Sequence, residues 1–303
     1  MSREKFENAN NRFWNNLILE NIIKMHERFK SAEQPRSTEG TQYHIQCKQG
    51  ELAKYLLIPG EPERVHKISR FWDEVRDVSS HREFQSVTGK YKGVPISALS
   101  SGIGPGSIAI ALNEAANVGV ETFIRVGSSG AIPEEVRCGD IVISTSAIRL
   151  DGASQNYIMS EYPATAHHEV LFALIQAAEE LNIRYHVGIT ATTSDFYTGQ
   201  ARPSVIGYLS HKTRDLIDVL GNAKVLNFEM ECATLFTLCN LFKLRGGTVC
   251  AVFANRTTNT FQPGAGEQQV IRVANESISI LNKWDEMKRI KRKRWFYPGL
   301  TGK

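Results

Sequence analysis

Two carboxylates separated by one apolar residue are the first feature of the sequence that could do chemistry. Glu229 and Glu231 flank Met230, after an apolar lead-in and before a second apolar run at 233–238. If the backbone is extended here, both carboxylates lie on one face. Carboxylates accept charge-assisted hydrogen bonds of about 1.5–3 kcal/mol each, so the pair could hold the vicinal diol of a ribose. First-turn acids that favour a helix dipole give the same pattern, and that interpretation stays open.

Arginines beside glycine-rich segments form a second group. Arg125 precedes Gly-Ser-Ser-Gly at 127–130, and we predict that a strand ends at 126 and that a turn follows. Backbone N–H groups in such a turn, with a guanidinium beside them, would bind an oxyanion. Gly60 and Arg64 offer a second half of the same arrangement. Each segment taken alone is equally consistent with a turn next to a surface arginine.

The glycines at 102, 104 and 106 loosely resemble a dinucleotide-binding fingerprint. The third glycine is misplaced, and no acidic residue ends the next strand as a ribose partner would. We therefore expect no nicotinamide cofactor.

The segment 196–202 combines three side chains that suit a flat heterocycle. Phe196 could stack on a ring, while the amide of Gln200 and the guanidinium of Arg202 could bond to its edge. The alternative is a lid loop anchored by the phenylalanine. Arg256 follows the last predicted strand and adds one more cation at the same end of the sheet.

Short apolar strands alternate with helices from residue 54 onward, which predicts one α/β domain with a mixed sheet and ligand sites at the strand ends. Besides the junction at 225–238, we predict strands at 55–58, 94–99, 122–126, 140–144, 185–190 and 247–254. We predict helices at 62–72, 108–118, 166–181 and 267–288.

Three segments are predicted along the chain. Residues 1–42 form an extension with an amphipathic helix at 11–30, which packs on the main domain or on a second subunit. Residues 43–287 form the α/β domain. Residues 288–303 form a basic tail, for which the default expectation is a solvated end.

The composition is that of a soluble enzyme, with 42% hydrophobic and 22% charged residues among 303. The chain has 36 basic and 32 acidic residues, but six of the basic ones lie at 288–294. The rest is near neutral, so nucleic-acid binding is not expected. Five cysteines without metal-ligand spacing, no signal peptide and no membrane span favour a reduced, cytoplasmic protein without a metal.

Seven ordered motifs resemble those of the uridine phosphorylases, over roughly residues 44–285. They are Pro59-Gly-Glu-Pro-Glu-Arg-Val65, Ser80-His-Arg-Glu-Phe84, Gly102-Ile-Gly104, Arg125-Val-Gly-Ser-Ser-Gly-Ala131, Phe196-Tyr-Thr-Gly-Gln-Ala-Arg202, Asn227-Phe-Glu-Met-Glu231 and Asn255-Arg-Thr257. The segment 149–154 is also similar to that family. The resemblance implies a single α/β domain around a twisted mixed sheet flanked by helices. It implies a pentosyltransferase of pyrimidine salvage, which cleaves uridine with inorganic phosphate to uracil and ribose 1-phosphate without a cofactor.

The resemblance also implies roles for individual residues. The implied phosphate contacts are Gly60, Arg64, Arg82, Arg125 and Ser128; the implied ribose contacts are His44, Ser128, Glu229, Met230 and Glu231; and the implied uracil contacts are Phe196, Gln200 and Arg202. Arg64, Arg125 and Arg256 would be catalytic. His44 and Arg82 would serve the site of a neighbouring subunit. The long N-terminus resembles that of eukaryotic members, which are dimers, so a homodimer is expected.

The chemistry demanded by phosphorolysis matches these residue types. Breaking the glycosidic bond develops positive charge on the ribose and negative charge on uracil. Arginines that hold a phosphate dianion below the sugar supply a nucleophile and a counter-charge together, and no general acid is obligatory. Ser128 replaces the threonine usual in the family. Phe253 and Ala254 replace a pair of branched aliphatic residues beside the base, so the pocket shape can differ.

Five other functions are considered. Purine phosphorylases use an aspartate where this chain has Asn255-Arg256. A hydrolytic nucleosidase, or a glycosidase built on the two glutamates, leaves the arginines unexplained. A catalytically silent paralogue that binds a nucleoside, or a phosphorylase of broader or purine nucleoside specificity, remains as an alternative.

Overall fold

The computed structural model describes residues 31–300, and the helix predicted at 11–30 lies outside this range. The strands are β1 (Tyr55–Pro59), β2 (Glu74–His81), β3 (Phe84–Tyr91), β4 (Val94–Leu99), β5 (Thr122–Ala131), β6 (Ile141–Leu150), β7 (Ala164–Thr165), β8 (Tyr185–Thr193), β9 (Val225–Glu229), β10 (Arg245–Asn255) and β11 (Thr260–Phe261). The helices are α1 (Pro62–Ser69), α2 (Pro105–Asn117), α3 (His168–Glu180), α4 (Leu216–Asn222), α5 (Cys232–Leu241) and α6 (Glu267–Lys291).

The strands form one mixed sheet in the order β11-β10-β6-β8-β9-β5-β1-β4-β3-β2, with β7 paired to β6. A further parallel pairing joins β10 to β5, so β5, β10, β6, β8 and β9 close into a ring. Parallel and antiparallel pairs are mixed, since β1 is parallel to β4 and β5 whereas β6 is antiparallel to β10. The predicted fold class, a single α/β domain with a mixed sheet flanked by helices, is confirmed.

Helices cover the sheet because its strands are apolar on more than one face. All five residues of β1 are buried, as expected for a central strand in parallel pairs. Helices α3 and α6 pack in one hydrophobic cluster with residues such as Leu57 and Ile143. Helices α2 and α5 pack in a second cluster with residues such as Leu56 and Phe123. The alternation along β1 therefore sends neighbouring side chains into different halves of the core.

The predicted turn at 127–130 is wrong, because β5 continues through it to Ala131. Strand β10 runs beside it, with Cys250 opposite Gly127 and Val252 opposite Ser129. A Cβ on Gly127 would lie 2.7 Å from the Cys250 sulfur, so glycine is needed here for close packing rather than for a turn. An anion at this place would meet the end of a strand and not a turn of backbone N–H groups.

Part of the basic segment is packed against the domain within the residues that the structure describes, 288–300. Helix α6 continues to Lys291, past the predicted domain boundary at 288. The Phe296 ring then stacks on Trp284, with ring centroids 3.8 Å apart and planes 9° apart, and Leu300 is buried. The charge of the segment suggested exposure, but its apolar side chains complete one of the hydrophobic clusters.

Other predicted elements occur where expected with shifted ends. Strand β6 extends to Leu150, beyond the predicted end at 144, and α2 begins at Pro105 rather than 108. All five cysteines are free thiols. Among residues 31–300, every helix is too short or too polar to cross a membrane.

Candidate active site

A cavity of about 270 Å³ opens where β1, β5, β9 and β10 end. Ten of the residues singled out from the sequence line it: Gly60, Arg64, Arg125, Ser128, Phe196, Gln200, Arg202, Glu229, Met230 and Glu231. Segments far apart in sequence thus supply the guanidinium groups, the carboxylates and the aromatic ring to one space. Arg256 does not line the cavity but contacts residues that do, and His44 and Arg82 lie elsewhere.

Arg125 lies between the two glutamates. Its Nε donates to the Glu229 carboxylate at 3.0 Å, and its Nη2 pairs with the Glu231 carboxylate. All three residues are at most 4% exposed. Burial alone would lower the pKa of Arg125, but the attraction of the two carboxylates raises it above its ordinary value, so the guanidinium stays charged. Its Nη1 is buried and has no hydrogen-bond partner within residues 31–300.

The two glutamates are not equivalent. Glu229 accepts from Thr192 Oγ1 at 2.5 Å and from the backbone N–H groups of Glu231 and Cys232 at 2.8–3.0 Å. Burial raises the pKa of Glu229, against the opposing effect of Arg125. Because every neighbour in these contacts donates, the geometry holds Glu229 as a carboxylate. The helix-terminus interpretation therefore applies to Glu229, which receives the first amides of α5.

Glu231 has fewer partners and adjoins the cavity. Besides Arg125, its carboxylate accepts one bond, from the Gly104 N–H at 2.5 Å. Gly104 has a φ of +100°, a conformation that favours glycine, and it is the N-cap of α2. The glycines at 102–106 thus shape a backbone donor for a carboxylate rather than a dinucleotide site. A carboxylate with this few bonds can accept further donors from a ligand.

Arg64 is the second buried guanidinium of the cavity, with 3% of its surface exposed. Its Nε donates to Glu267 at 2.9 Å, its Nη1 to the Val126 carbonyl at 3.1 Å, and its Nη2 reaches Glu61 at 3.4 Å. Lys67 bonds to both of these carboxylates. Arg64 of α1 and Arg125 of β5 therefore line one cavity, and two guanidinium groups in this arrangement suit an anion.

The opposite part of the cavity carries the aromatic ring and the amide. The Arg202 guanidinium lies 3.9 Å from the centroid of the Phe196 ring, and its Nη1 donates to Gln200 Oε1 at 2.6 Å. The Gln200 amide donates to Thr193 Oγ1 at 3.1 Å, while Arg256 Nη1 donates to the Gln200 carbonyl at 2.5 Å. Burial, together with the charge of Arg256, lowers the pKa of Arg202 to about 10.

His44 and Arg82 lie together on another part of the surface. His44 Nδ1 is 2.6 Å from the Glu114 carboxylate, and the Arg82 guanidinium lies over the Tyr43 ring at 5.6 Å. Arg82 has a φ of +55° at the turn between β2 and β3. Neither side chain reaches the cavity of its own chain.

Several residues of the site were not predicted. Glu61, Ile103, Phe228 and Phe261 line the cavity. Glu61 lies inside a quoted motif, and its place just after a strand end could have indicated it. Phe261 lies in β11, a two-residue strand that no sequence pattern defines, so it could not be found in this way.

Comparison with known proteins adds to this geometry. A family model described as the phosphorylase superfamily matches residues 54–283. The chain belongs to the phosphorylase superfamily. Every residue that lines the cavity lies within the matched range.

Three similar proteins, two archaeal and one bacterial, illustrate this membership. The chain is similar to the uridine phosphorylase of Thermococcus kodakarensis, with 55% identity over 92% of this chain and 100% of that protein. It is 39% identical to the uridine phosphorylase of Haemophilus influenzae, over 79% of this chain and 95% of that one. It is also 32% identical to the guanosine phosphorylase of Halorubrum lacusprofundi, over 78% of this chain and 93% of that one.

Proposed function

We propose that the protein is a pentosyltransferase that catalyses the reversible phosphorolysis of uridine to uracil and ribose 1-phosphate. One observation carries the proposal: Arg125 lies in the cavity with two carboxylates on one side of its guanidinium and a nitrogen still unbonded within residues 31–300. A phosphate and a ribose diol need donors and acceptors in this proximity. The 55% identity to a uridine phosphorylase supports the same reaction.

Phosphate binds at Gly60, Arg64, Arg125 and Ser128 in this proposal. The Arg125 Nη1 group gains a charged acceptor, and Arg64 supplies a second positive charge. Held below the anomeric carbon, the dianion is both the nucleophile and the counter-charge for the sugar as the glycosidic bond breaks. Arg64 and Arg125 are catalytic in this sense.

The ribose lies against Glu229, Met230 and Glu231. Glu231 accepts the diol protons, because Glu229 is already saturated by donors from the protein. Glu229 then acts by holding Arg125. Ser128 lines the same cavity, and its hydroxyl can bond to either the phosphate or the ribose.

Uracil lies beside Phe196, with its edge toward Gln200 and Arg202. Its leaving-group charge spreads onto the carbonyl oxygens, which these donors stabilise. Arg256 supports the base site through the Gln200 carbonyl. The side chain at position 255 is consistent with a preference for pyrimidines, because Asn255 is not a carboxylic acid that could protonate a purine ring nitrogen. Its amide instead donates to the Pro133 and Val136 carbonyls.

A homodimer completes the site in this proposal. His44 and Arg82 lie together on the surface, away from the cavity of their own chain, as expected of residues that serve a neighbouring subunit. The eukaryotic type of dimer finds no support among the archaeal and bacterial relatives. A cytoplasmic location stays a prediction that the five free thiols support.

Uracil release from uridine, with and without inorganic phosphate, tests the proposal. We expect release only with phosphate, together with formation of ribose 1-phosphate. Inosine and thymidine serve as competing substrates in the same assay. Release at equal rates without phosphate would contradict the proposal, and faster turnover of inosine than of uridine would favour a purine phosphorylase instead.

A further inference from the structure

Glu267 does not line the cavity, yet it is bonded to one of the two buried arginines there. It is the first residue of α6, and its Oε1 accepts from Arg64 Nε at 2.9 Å. Its carboxylate also accepts from Lys67 at 3.0–3.2 Å. The Glu267 side chain is 14% exposed and the Arg64 side chain 4%, so this ion pair is largely shielded from water.

The contacts of Arg64 fix the plane of its guanidinium. Bonds at Nε and Nη1, to Glu267 and to the Val126 carbonyl, involve two different edges of a planar group. The Nη2 contact with Glu61 is longer, at 3.4 Å, and the Glu61 side chain is 44% exposed. Nη2 therefore has the weakest contact of the three nitrogens and is the one best able to donate to an anion in the cavity.

Glu267 is itself held in place by the backbone before it. Gly266 has a φ of +77°, and a Cβ there would lie 2.7 Å from the Gly139 carbonyl oxygen. The backbone just before α6 is therefore packed closely against that of Gly139. Burial would raise the pKa of Glu267, but the bonds from Lys67 and Arg64 keep it below its ordinary value, so the carboxylate stays charged.

We propose that Glu267 is a positioning residue for phosphate: it acts through the orientation of Arg64 and touches no substrate. This inference rests on the proposed phosphate site. It makes the affinity for phosphate depend on a residue from the last helix.

The sign of the effect separates orientation from simple charge. A carboxylate close to an anion site repels the anion, so its removal would lower KM for phosphate if only its field mattered. If Glu267 instead orients Arg64, its removal lets the guanidinium rotate, and KM for phosphate rises. Small misplacements of a positioning group can cost up to about 100-fold in rate or affinity.

Two variants of Glu267 and one control test this. E267M has a similar length but no acceptor, whereas E267Q keeps a neutral acceptor for Arg64 Nε. The matched control is E276M, because Glu276 is a buried carboxylate of the same helix, bonded to Lys92 at 2.6 Å and Tyr91 at 2.8 Å, outside the cavity.

We expect KM for phosphate to rise about tenfold or more in E267M and about threefold in E267Q, in line with the effect of a displaced positioning group. KM for uridine should change less than about twofold in both, and E276M should resemble the wild type in both constants. An unchanged or lower KM for phosphate in E267M, or an equal rise in E276M, would overturn the inference.

Calorimetric titration of inorganic phosphate, without nucleoside, distinguishes this inference from the proposed function. Weaker phosphate binding by E267M than by the wild type supports the inference even if uridine is not cleaved. Equal binding by both overturns it even if uridine is cleaved. Thermal unfolding checks that each variant is folded, and if E267M is not, E267Q against E276Q gives the same comparison.

Discussion

Two arginines on neighbouring parallel strands, one buried and one partly buried, each bond to two carboxylates, and they differ in whether a nitrogen is left without a partner. Arg125 on β5 bonds to Glu229 and Glu231 and keeps Nη1 without a partner within residues 31–300. Arg245 opens β10 and uses Nε on Thr122, with its other two nitrogens on Glu169 and Asp285. The first adjoins the cavity. Similar ion pairs therefore serve two purposes. Arg245, whose nitrogens are all bonded, stabilises the fold, whereas Arg125, which keeps a nitrogen without a partner within residues 31–300, lies in a candidate binding site.

The Arg245 cluster ties the helices to the sheet. Asp285 of α6 also accepts from Tyr55 of β1 at 2.6 Å, and Lys288 bonds to both Asp285 and Glu169 of α3. Burial would raise the pKa of Asp285, but its bonds from Arg245 hold it well below the ordinary value. These contacts join two helices and three strands at the amino ends of β1, β5 and β10, remote from the proposed chemistry.

Removal of each arginine gives the largest contrast. R125M should lower kcat/KM for uridine by about 1000-fold or more, because a charged donor to the proposed phosphate is lost. R245M should leave kcat/KM of the folded enzyme within about threefold but lower the free energy of unfolding by about 2–4 kcal/mol, since Glu169 and Asp285 each lose one of their two cationic partners and keep only Lys288. Steady-state kinetics and urea unfolding of both variants measure this. Equal losses of kcat/KM in R125M and R245M would contradict the assignment of Arg125 to the active site and of Arg245 to the stability of the fold.

The carboxylates sharpen the contrast. E231Q should lower kcat/KM about 10- to 100-fold, because bonds to the diol lose charge assistance of about 1.5–3 kcal/mol each. D285N should lower the free energy of unfolding by about 2–4 kcal/mol with little change in kinetics, as a buried pair is broken. If E231Q has the same kcat/KM as the wild type, Glu231 does not bind the ribose as proposed.

His167, which lies near Arg245 in the fold, is expected to make the free energy of unfolding depend on pH. Burial, with the nearby His168 charge, lowers the pKa of the half-buried His167 to about 4. The unfolded pKa is about 6.5, so this contribution is fully present above about pH 6.5 and is lost as the pH falls toward 4. The loss should be about 1–2 kcal/mol, after allowance for exposure of the ring. Urea unfolding of the wild type and H167Q between pH 7 and 4 measures it, and equal slopes would contradict it.

The sequence indicates the types of the site residues better than their partners. Motifs around Arg64, Arg125, Glu231 and Gln200 predict the cavity lining, because strand ends converge in an α/β fold. The pairing of β5 with β10 could not be predicted, so Gly127 was misinterpreted as part of a turn.

Ion pairs between residues far apart in sequence could not be predicted from sequence patterns either. Glu267 contacts Arg64 across 203 residues, and local periodicity contains no information about that distance. The packing of Phe296 on Trp284 was not predicted, because the basic residues around Phe296 indicated a segment exposed to solvent.

A crystal structure of the protein soaked with inorganic phosphate tests the central claim most directly. The account predicts phosphate density within hydrogen-bond distance of Arg125 Nη1 and of the Arg64 guanidinium, with the Arg245 cluster unchanged. Phosphate bound at Arg245, or a cavity that stays free of phosphate at concentrations that support turnover, would contradict it.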